Sequence, residues 1–391
     1  MQVLVSGAGI GGLAAARALA GDGHQVTVFE RAPELRLGGA AVTLWSNGTG
    51  VLSDLGVSLD GAGAPIESLD TYDHRGRLLV STDVAHAAAR YGHPQVCLPR
   101  SRLLGLLTAG LPAGTIVFGR AAASCGTAAR GPGRPRLTFE DGSFAEGDLL
   151  VAADGRASAV RDQLWGGDPG EPTGWATWQG VSALPGGIAA GRRGALFVGQ
   201  PGTCGLMPAG NGLLQWWFDL RWTPGAAPPA APLEMLRERF AGWAPPVRDV
   251  LAAVSDAETG FFPHYRHRVP SAWGSGPVTV IGDAAHSMPP TRAQGANQAL
   301  EDGWALARAL RPLAGQPDAD VPAALRAFER SRSARVSVVA RQAGTEDYNR
   351  YGVAISRLGR LIPPPLAARY YTRWLARVSS YLAVSPVPAQ R

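Results

Sequence analysis

A short apolar strand, Val3–Val5, runs directly into Gly7-Ala8-Gly9-Ile10-Gly11-Gly12. An Ala/Leu-rich helix follows to about Leu19, then a second strand, Gln25–Phe29, that closes on Glu30. A strand, a tight glycine turn, a helix and a second strand within 30 residues predict a βαβ unit. Such a unit demands parallel strands with helices on the sheet, an α/β fold. In GxGxxG, Gly7 permits the turn, Gly9 lets the backbone approach a pyrophosphate, and Gly12 allows close packing of helix on strand. Glu30, with Arg31 beside it, stands about 20 residues on, where a carboxylate accepts from an adenosine ribose hydroxyl. An acid there favours a free 2′-hydroxyl, as in FAD or NAD, over a 2′-phosphate.

The 391 residues, 46% of them hydrophobic, suffice for two domains, or for one large α/β domain with an inserted lobe. Cys97, Cys125 and Cys204 are scattered, without disulfide or metal-ligand spacing, and no metal is expected. No run reaches the ~20 apolar residues of a membrane span, and no leader precedes the first strand, so a cytoplasmic protein is expected. All 37 basic residues are Arg, which excludes a lysine Schiff base. The net charge is +6, but the arginines are spread over the chain rather than forming a basic stretch interleaved with aromatics, so no nucleic-acid partner is expected.

A second punctuated stretch, GDAAHSMPPTRAQGANQALEDG, spans Gly282–Gly303. The strand-like Val278–Ile281 leads into it, and Ala296–Leu310 reads as a helix, so the loop feeds a helix N-terminus suited to an anion or an electron-rich ring edge. Asp283 ends a strand, where an α/β sheet grips ligand hydroxyls. The pattern GDAAHxxPP…QGANxAxED resembles the second flavin motif of the single-component (group A) FAD-dependent aromatic monooxygenases, such as p-hydroxybenzoate and salicylate hydroxylases. That resemblance implies that Asp283 binds the ribityl chain of FAD, and that Pro289, Pro290, Gly295, Ala296 and Asn297 wrap the isoalloxazine ring. One departure stands out: Ala293 occupies a position where the family usually has Gly.

Other segments match the family in order. Leu98-Pro99-Arg100 opens a helix, and Arg100 matches an Arg on the ribityl and phosphate side of the flavin. Asp154-Gly155, before Ser158, Val160 and Arg161, is similar to the family's DG motif, which implies contacts from Asp154 and Arg161. Gly38–Val57 corresponds to a segment that runs beside the flavin in relatives; Trp45 either borders the substrate or packs on the sheet, and Gly48-Thr49-Gly50 weakens the helix start. Strand-like pieces at 174–184, 194–199 and 205–222 resemble the sheet that roofs the substrate site. They concentrate aromatics, of which Trp178, Trp216 and Phe218 are expected at the substrate. His264 or Tyr265 is a candidate base toward a phenol, whereas His286 reads as structural. Gln179 replaces an Arg that relatives often carry, which favours a neutral substrate.

The resemblance implies a Rossmann-type FAD-binding domain of the p-hydroxybenzoate hydroxylase fold (1–65, 96–171 and 269–345), an interleaved substrate-binding β-sheet domain (66–95 and 172–268) and a C-terminal helical tail (346–391). It further implies tightly bound FAD, NADH or NADPH as transient co-substrate, and dioxygen activated as a flavin C4a-hydroperoxide. The expected reaction is hydroxylation or epoxidation of a hydrophobic aromatic or polycyclic molecule, in secondary metabolism or aromatic catabolism, by a monomer or homodimer. Baeyer–Villiger oxygenation, a flavin-dependent reductase and a non-catalytic flavin-bearing binding protein remain alternatives.

Overall fold

The computed structural model describes residues 1–35, 40–127, 133–184, 187–313, 316 and 320–384. The first residues of the 38–57 segment and the end of the tail from 385 lie outside them. Among the described residues there are four sheets. The five-stranded sheet has the order Val278–Val280, Leu149–Ala152, Gln2–Ser6, Gln25–Glu30, Ile116–Phe118, all parallel. Its first strand lies in the middle, so the turn after Ser6 opens at the carboxyl edge, where open α/β sheets bind ligands. The helix Ile10–Gly21 packs against the long helix Gly295–Leu310. The two sequence motifs thereby meet in space.

The seven-stranded sheet has the order Gly260–Arg266, Glu171–Ala183, Leu213–Arg221, Gly202–Gly210, Arg193–Val198, Ser68–Asp73, Leu78–Asp83. It is antiparallel except between Arg193–Val198 and Ser68–Asp73. The expected single piece at 205–222 is in fact two strands, joined where Asn211 (φ 54°) and Gly212 (φ 74°) turn the chain. Asn-Gly tolerates two left-handed residues in succession, the usual signal of a two-residue hairpin. Helices Pro232–Arg239 and Pro245–Ala253 cover one face of this sheet through Leu233, Leu236, Phe240, Val247 and Leu251.

Gly48-Thr49-Gly50 was expected to weaken a helix, yet Ser46–Asp54 is helical and largely buried there. Proximity accounts for it: a Cβ at Gly48 would lie 2.2 Å from Asn297 Oδ1. The glycine admits the second flavin motif against this helix.

Candidate active site

A Cβ at Gly12 would lie 2.0 Å from the Gly7 carbonyl oxygen, so the turn closes only with glycine there. A Cβ at Gly9 would meet nothing within 4 Å. That space faces the start of the Ile10–Gly21 helix, which has no side-chain cap and no acid in its first turn. Its free N–H groups and positive dipole end suit a pyrophosphate. Glu30 accepts from Ala8 N at 2.8 Å and from Ala32 N at 2.9 Å, so its carboxylate is fixed while each oxygen keeps a lone pair for a ribose hydroxyl. Arg31 borders a cleft of ~640 Å³ with Pro33, Leu35 and Glu140, next to Glu30. These features fit the pyrophosphate and adenosine of FAD.

At the other end, Gly282 (φ 60°) turns the chain so that Asp283 is exposed at the first position of the short helix Asp283–His286. Pro289 is buried, Pro290 starts a 3-10 turn, and Ala293 closes it at φ 47°, ψ 39°. The departure from glycine thus falls on a left-handed residue, a conformation that costs a side-chain-bearing residue ~1–2 kcal/mol. The Ala293 carbonyl is held in place, accepting from Trp45 Nε1 at 3.0 Å and from Asn297 Nδ2 at 2.8 Å. We expect Ala293→Gly to raise stability by about 1 kcal/mol with flavin content unchanged, read from the urea midpoint. An unchanged or lower midpoint would mean that the alanine is not strained.

The helix Gly295–Leu310 begins without a side-chain cap or a first-turn acid, and a Cβ at Gly295 meets nothing within 4 Å. As the first residues of this helix, Gly295 and Ala296 have backbone N–H groups without an intrahelical partner. Asn297 is fully engaged: its Oδ1 accepts from Trp45 N at 2.9 Å, and Nδ2 also donates to Thr43 O at 3.0 Å. Asp154 Oδ1 is buried and has no partner among the described residues. Burial pushes the Asp154 carboxyl above the usual carboxylate range, a state that a hydrogen-bonding ligand would relieve. Arg100 is exposed at the start of the helix Arg100–Thr108. Arg161 instead is buried in the helix Ala159–Trp165, donating to Arg156 O at 2.7 Å and to Asp162 Oδ1.

The sheet face toward the flavin segments differs from expectation. Trp178, Trp216 and Phe218 are fully buried in the core beneath the Pro232–Arg239 and Pro245–Ala253 helices. They lie on the far face, and their expected place at a substrate is corrected to structural packing. Because side chains alternate along a strand, the near face carries the neighbours of those residues. Register sets Gln179, Trp217 and Gly205 in one row, with Val181, Gln215 and Met207 in the next. Trp217, Val181 and Tyr371 of the helix Pro364–Val378 all pack against one buried cluster that includes Met207. Tyr371 also meets Trp45 edge-on, ring centroids 5.9 Å apart, so it bridges the sheet and the flavin loop. Its hydroxyl is buried without a partner among the described residues. Trp45 itself, 5% exposed, is a brace of the flavin loop. The sequence reading chose Trp178, Trp216 and Phe218 over Trp217 among the aromatics of these strands, and it did not single out Tyr371.

A further row on this face, Thr177, Asp219 and Thr203, leads to His264. His264 is 2% exposed, with Nδ1 2.8 Å from Glu346 Oε1 and Nε2 2.6 Å from Thr177 Oγ1. Thr177 donates onward to Asp219. Burial alone would lower its pKa, but the Glu346 hydrogen bond and the charges of Asp219 and Glu346 prevail and raise it. Both ring nitrogens of His264 are thus engaged by buried partners of the same chain, which leaves neither free to act as the expected base toward a phenol. Tyr265 points to the opposite side, its ring under the Arg156 guanidinium at 4.7 Å.

His286 is structural, as expected: its Nε2 lies 2.6 Å from Asp302 Oδ2, and both side chains are fully buried. Asp302 also accepts from Gly282 N at 2.8 Å and from Arg332 Nε at 2.7 Å. Glu301 accepts from Arg332 Nη1 at 2.8 Å and from Asn47 at 2.7 Å. This buried ionic cluster ties the flavin loop to the helix Val321–Gly344.

Residues 1–343 match the family of FAD binding domains. A FAD-dependent urate hydroxylase of Klebsiella pneumoniae is 33% identical over 341 residues, covering 86% of this chain and 87% of the relative. Aurachin C monooxygenase/isomerase of Stigmatella aurantiaca is likewise 33% identical, covering 86% of each chain. A crystal structure of Klebsiella pneumoniae HpxO complexed with FAD and uric acid superposes with a TM-score of 0.88 at 28% identity, covering 96% of this chain and 97% of that one. The chain belongs to the group A family of flavoprotein aromatic hydroxylases. It is a FAD-dependent monooxygenase.

Proposed function

We propose that this enzyme hydroxylates or epoxidises an uncharged, hydrophobic aromatic or polycyclic molecule, with NADH or NADPH as electron donor and dioxygen as co-substrate. The observation that carries this reading is the near face of the seven-stranded sheet. The two rows of Gln179, Trp217, Val181, Gln215 and Met207, together with Tyr371, include no charged side chain, and Asp219 in the next row is buried against Thr177 and Thr203. Aromatic and aliphatic walls bind a flat apolar ring by area, while a few polar groups set its orientation. Relatives named for urate and for aurachin C differ in substrate, so the substrate class is read from this chain's own face.

When bound, FAD supplies the electron transfer from the pyridine nucleotide and the activation of dioxygen. The protein's part is to position and to shield. Gly9 and the Ile10 helix start would hold the pyrophosphate, Glu30 the ribose, and Asp283 the ribityl chain. Gly295 and Ala296 would donate to the pyrimidine edge of the ring, where negative charge gathers on reduction. Trp217 and Tyr371 exclude water from the reacting atoms. Tyr371 Oη donates to the substrate's polar edge; burial raises its pKa, which keeps it a neutral donor.

The test uses the yellow holoenzyme with NADH or NADPH, labelled dioxygen and a panel of phenols, indoles and polycyclic quinones. The expected product is heavier by one labelled oxygen atom. Tyr371→Phe should lower kcat/KM about tenfold, the value of one hydrogen bond. Preference for carboxylated over neutral members of the panel would overturn the reading.

A further inference from the structure

The chain's positive charge is concentrated at one end. Residues 348–391 contain seven arginines and no acid, whereas the preceding 347 residues carry nearly balanced charge. Helices Asp347–Gly359 and Pro364–Val378 follow one another here across a short turn at 360–363. The second helix is held firmly on one side. Ala368, Thr372, Leu375 and Val378 are buried, Thr372 Oγ1 lies 2.9 Å from His86 Nδ1, and Trp374 Nε1 donates to Gln342 at 2.8 Å.

The outward side is therefore fixed, and it is unusually apolar. Leu358 is 67% exposed, Leu361 80%, Ile362 50%, Leu366 52% and Tyr370 74%. Leu361 and Ile362 sit on the turn between the helices, closed by Leu361 N to Leu358 O and Ile362 N to Gly359 O, both 3.0 Å. Pro363, Pro364 and Pro365 follow at once. Arg357, Arg360, Arg369 and Arg373 flank these side chains; all four are exposed, and none has an acidic partner among the described residues.

We propose that this helix–turn–helix segment docks the enzyme on an anionic phospholipid bilayer, with Leu361, Ile362 and Leu366 entering the acyl boundary and the arginines lying among the headgroups. Charge complementarity selects this occupant. A symmetric pairing of two copies would set each arginine cluster against its own image. Nucleic acid would use the arginines but not the leucines. An anionic membrane surface uses both, since apolar side chains insert while long basic side chains reach the phosphate layer. No helix among the described residues is long and apolar enough to cross a membrane, so the contact lies in the interface plane. This docking is independent of the substrate reading above.

The experiment is flotation of the flavin-loaded full-length chain with vesicles of phosphatidylcholine alone or mixed with phosphatidylglycerol, at low and at high salt. Binding is expected to the mixed vesicles only, and to fall as salt rises. Leu361→Ser with Ile362→Ser, and separately Arg360→Gln with Arg369→Gln, should each weaken it at least about tenfold. These side chains are exposed, and unchanged flavin content will confirm that the variants are folded. Absence of binding to the mixed vesicles would overturn the proposal, as would equal binding to neutral vesicles. Concentration-dependent dimerisation abolished by the Leu361/Ile362 variant would also overturn it, because the face would then belong to a second copy.

Discussion

Arg332→Met should destabilise this protein by about 3–5 kcal/mol, the cost of leaving buried charges without their partner. Arg332 has no exposed surface and makes five hydrogen bonds to Asp302, Glu301, Gln298 and Ser380. Methionine fills much the same volume, so the expected loss is electrostatic rather than a cavity. Two carboxylates, Glu301 and Asp302, would remain in the core, with His286 hydrogen-bonded to Asp302. Burial would raise the Asp302 pKa, but the charges of His286 and Arg332 prevail and hold it below the usual carboxylate value. A depressed folded pKa contributes stability above the unfolded value, and that stability is lost as pH falls through the folded one. The variant should forfeit this contribution at neutral pH, which urea midpoints at two pH values will show. Flavin content should fall too, since Asp302 positions Gly282 at the head of the flavin loop. A wild-type midpoint at pH 7 would refute the role given to this cluster. If glutamine and asparagine at 301 and 302 restore stability to the methionine variant, unpaired charge is confirmed as the cause.

Much of the nucleotide-binding half was legible in the sequence because its requirements are local. A glycine turn, a helix start and a strand-end acid lie within 30 residues, and each has a geometric reason visible at its own position. Ala293 shows how far this goes: a single departure from pattern pointed to the residue that the structure places at positive φ. The substrate face was less legible. Leu213–Arg221 is covered on both sides, so its hydrophobic run does not alternate, and nothing local tells Trp216 from Trp217. A one-residue difference in parity moves the aromatic ring from the packed core to the site. His264 was misread for another reason. Its partner Glu346 lies 82 positions away, in a tail whose helices carried no recognised motif. Tyr371 was hidden by the same remoteness. Its place beside the Met207 cluster and its contact with Trp45 arise only once the tail helix Pro364–Val378 folds back on the sheet.

Gly9→Val should separate flavin binding from folding. At Gly9 φ is −76° and ψ −179°, extended backbone that valine adopts readily, and no atom lies within 4 Å of an added Cβ. The apo variant should therefore unfold within ~0.5 kcal/mol of the wild-type apo protein, as a substitution into open space does. Flavin affinity should fall at least about 100-fold, about 2.7 kcal/mol, because the added side chain occupies the space that the pyrophosphate needs above the Ile10–Gly21 helix. Gly12→Ala provides the contrast. Its Cβ would collide with the Gly7 carbonyl oxygen at 2.0 Å, so this variant should lose stability and flavin together. Flavin titration of the two apoproteins, each followed by a urea melt, resolves the cases. Full flavin occupancy in Gly9→Val would mean that the dinucleotide does not cross this turn, and the assignments of Gly9 and Glu30 would fall with it. Loss of affinity with unchanged folding would place the pyrophosphate at the start of the first helix, leaving Gly12 a purely structural requirement of the turn.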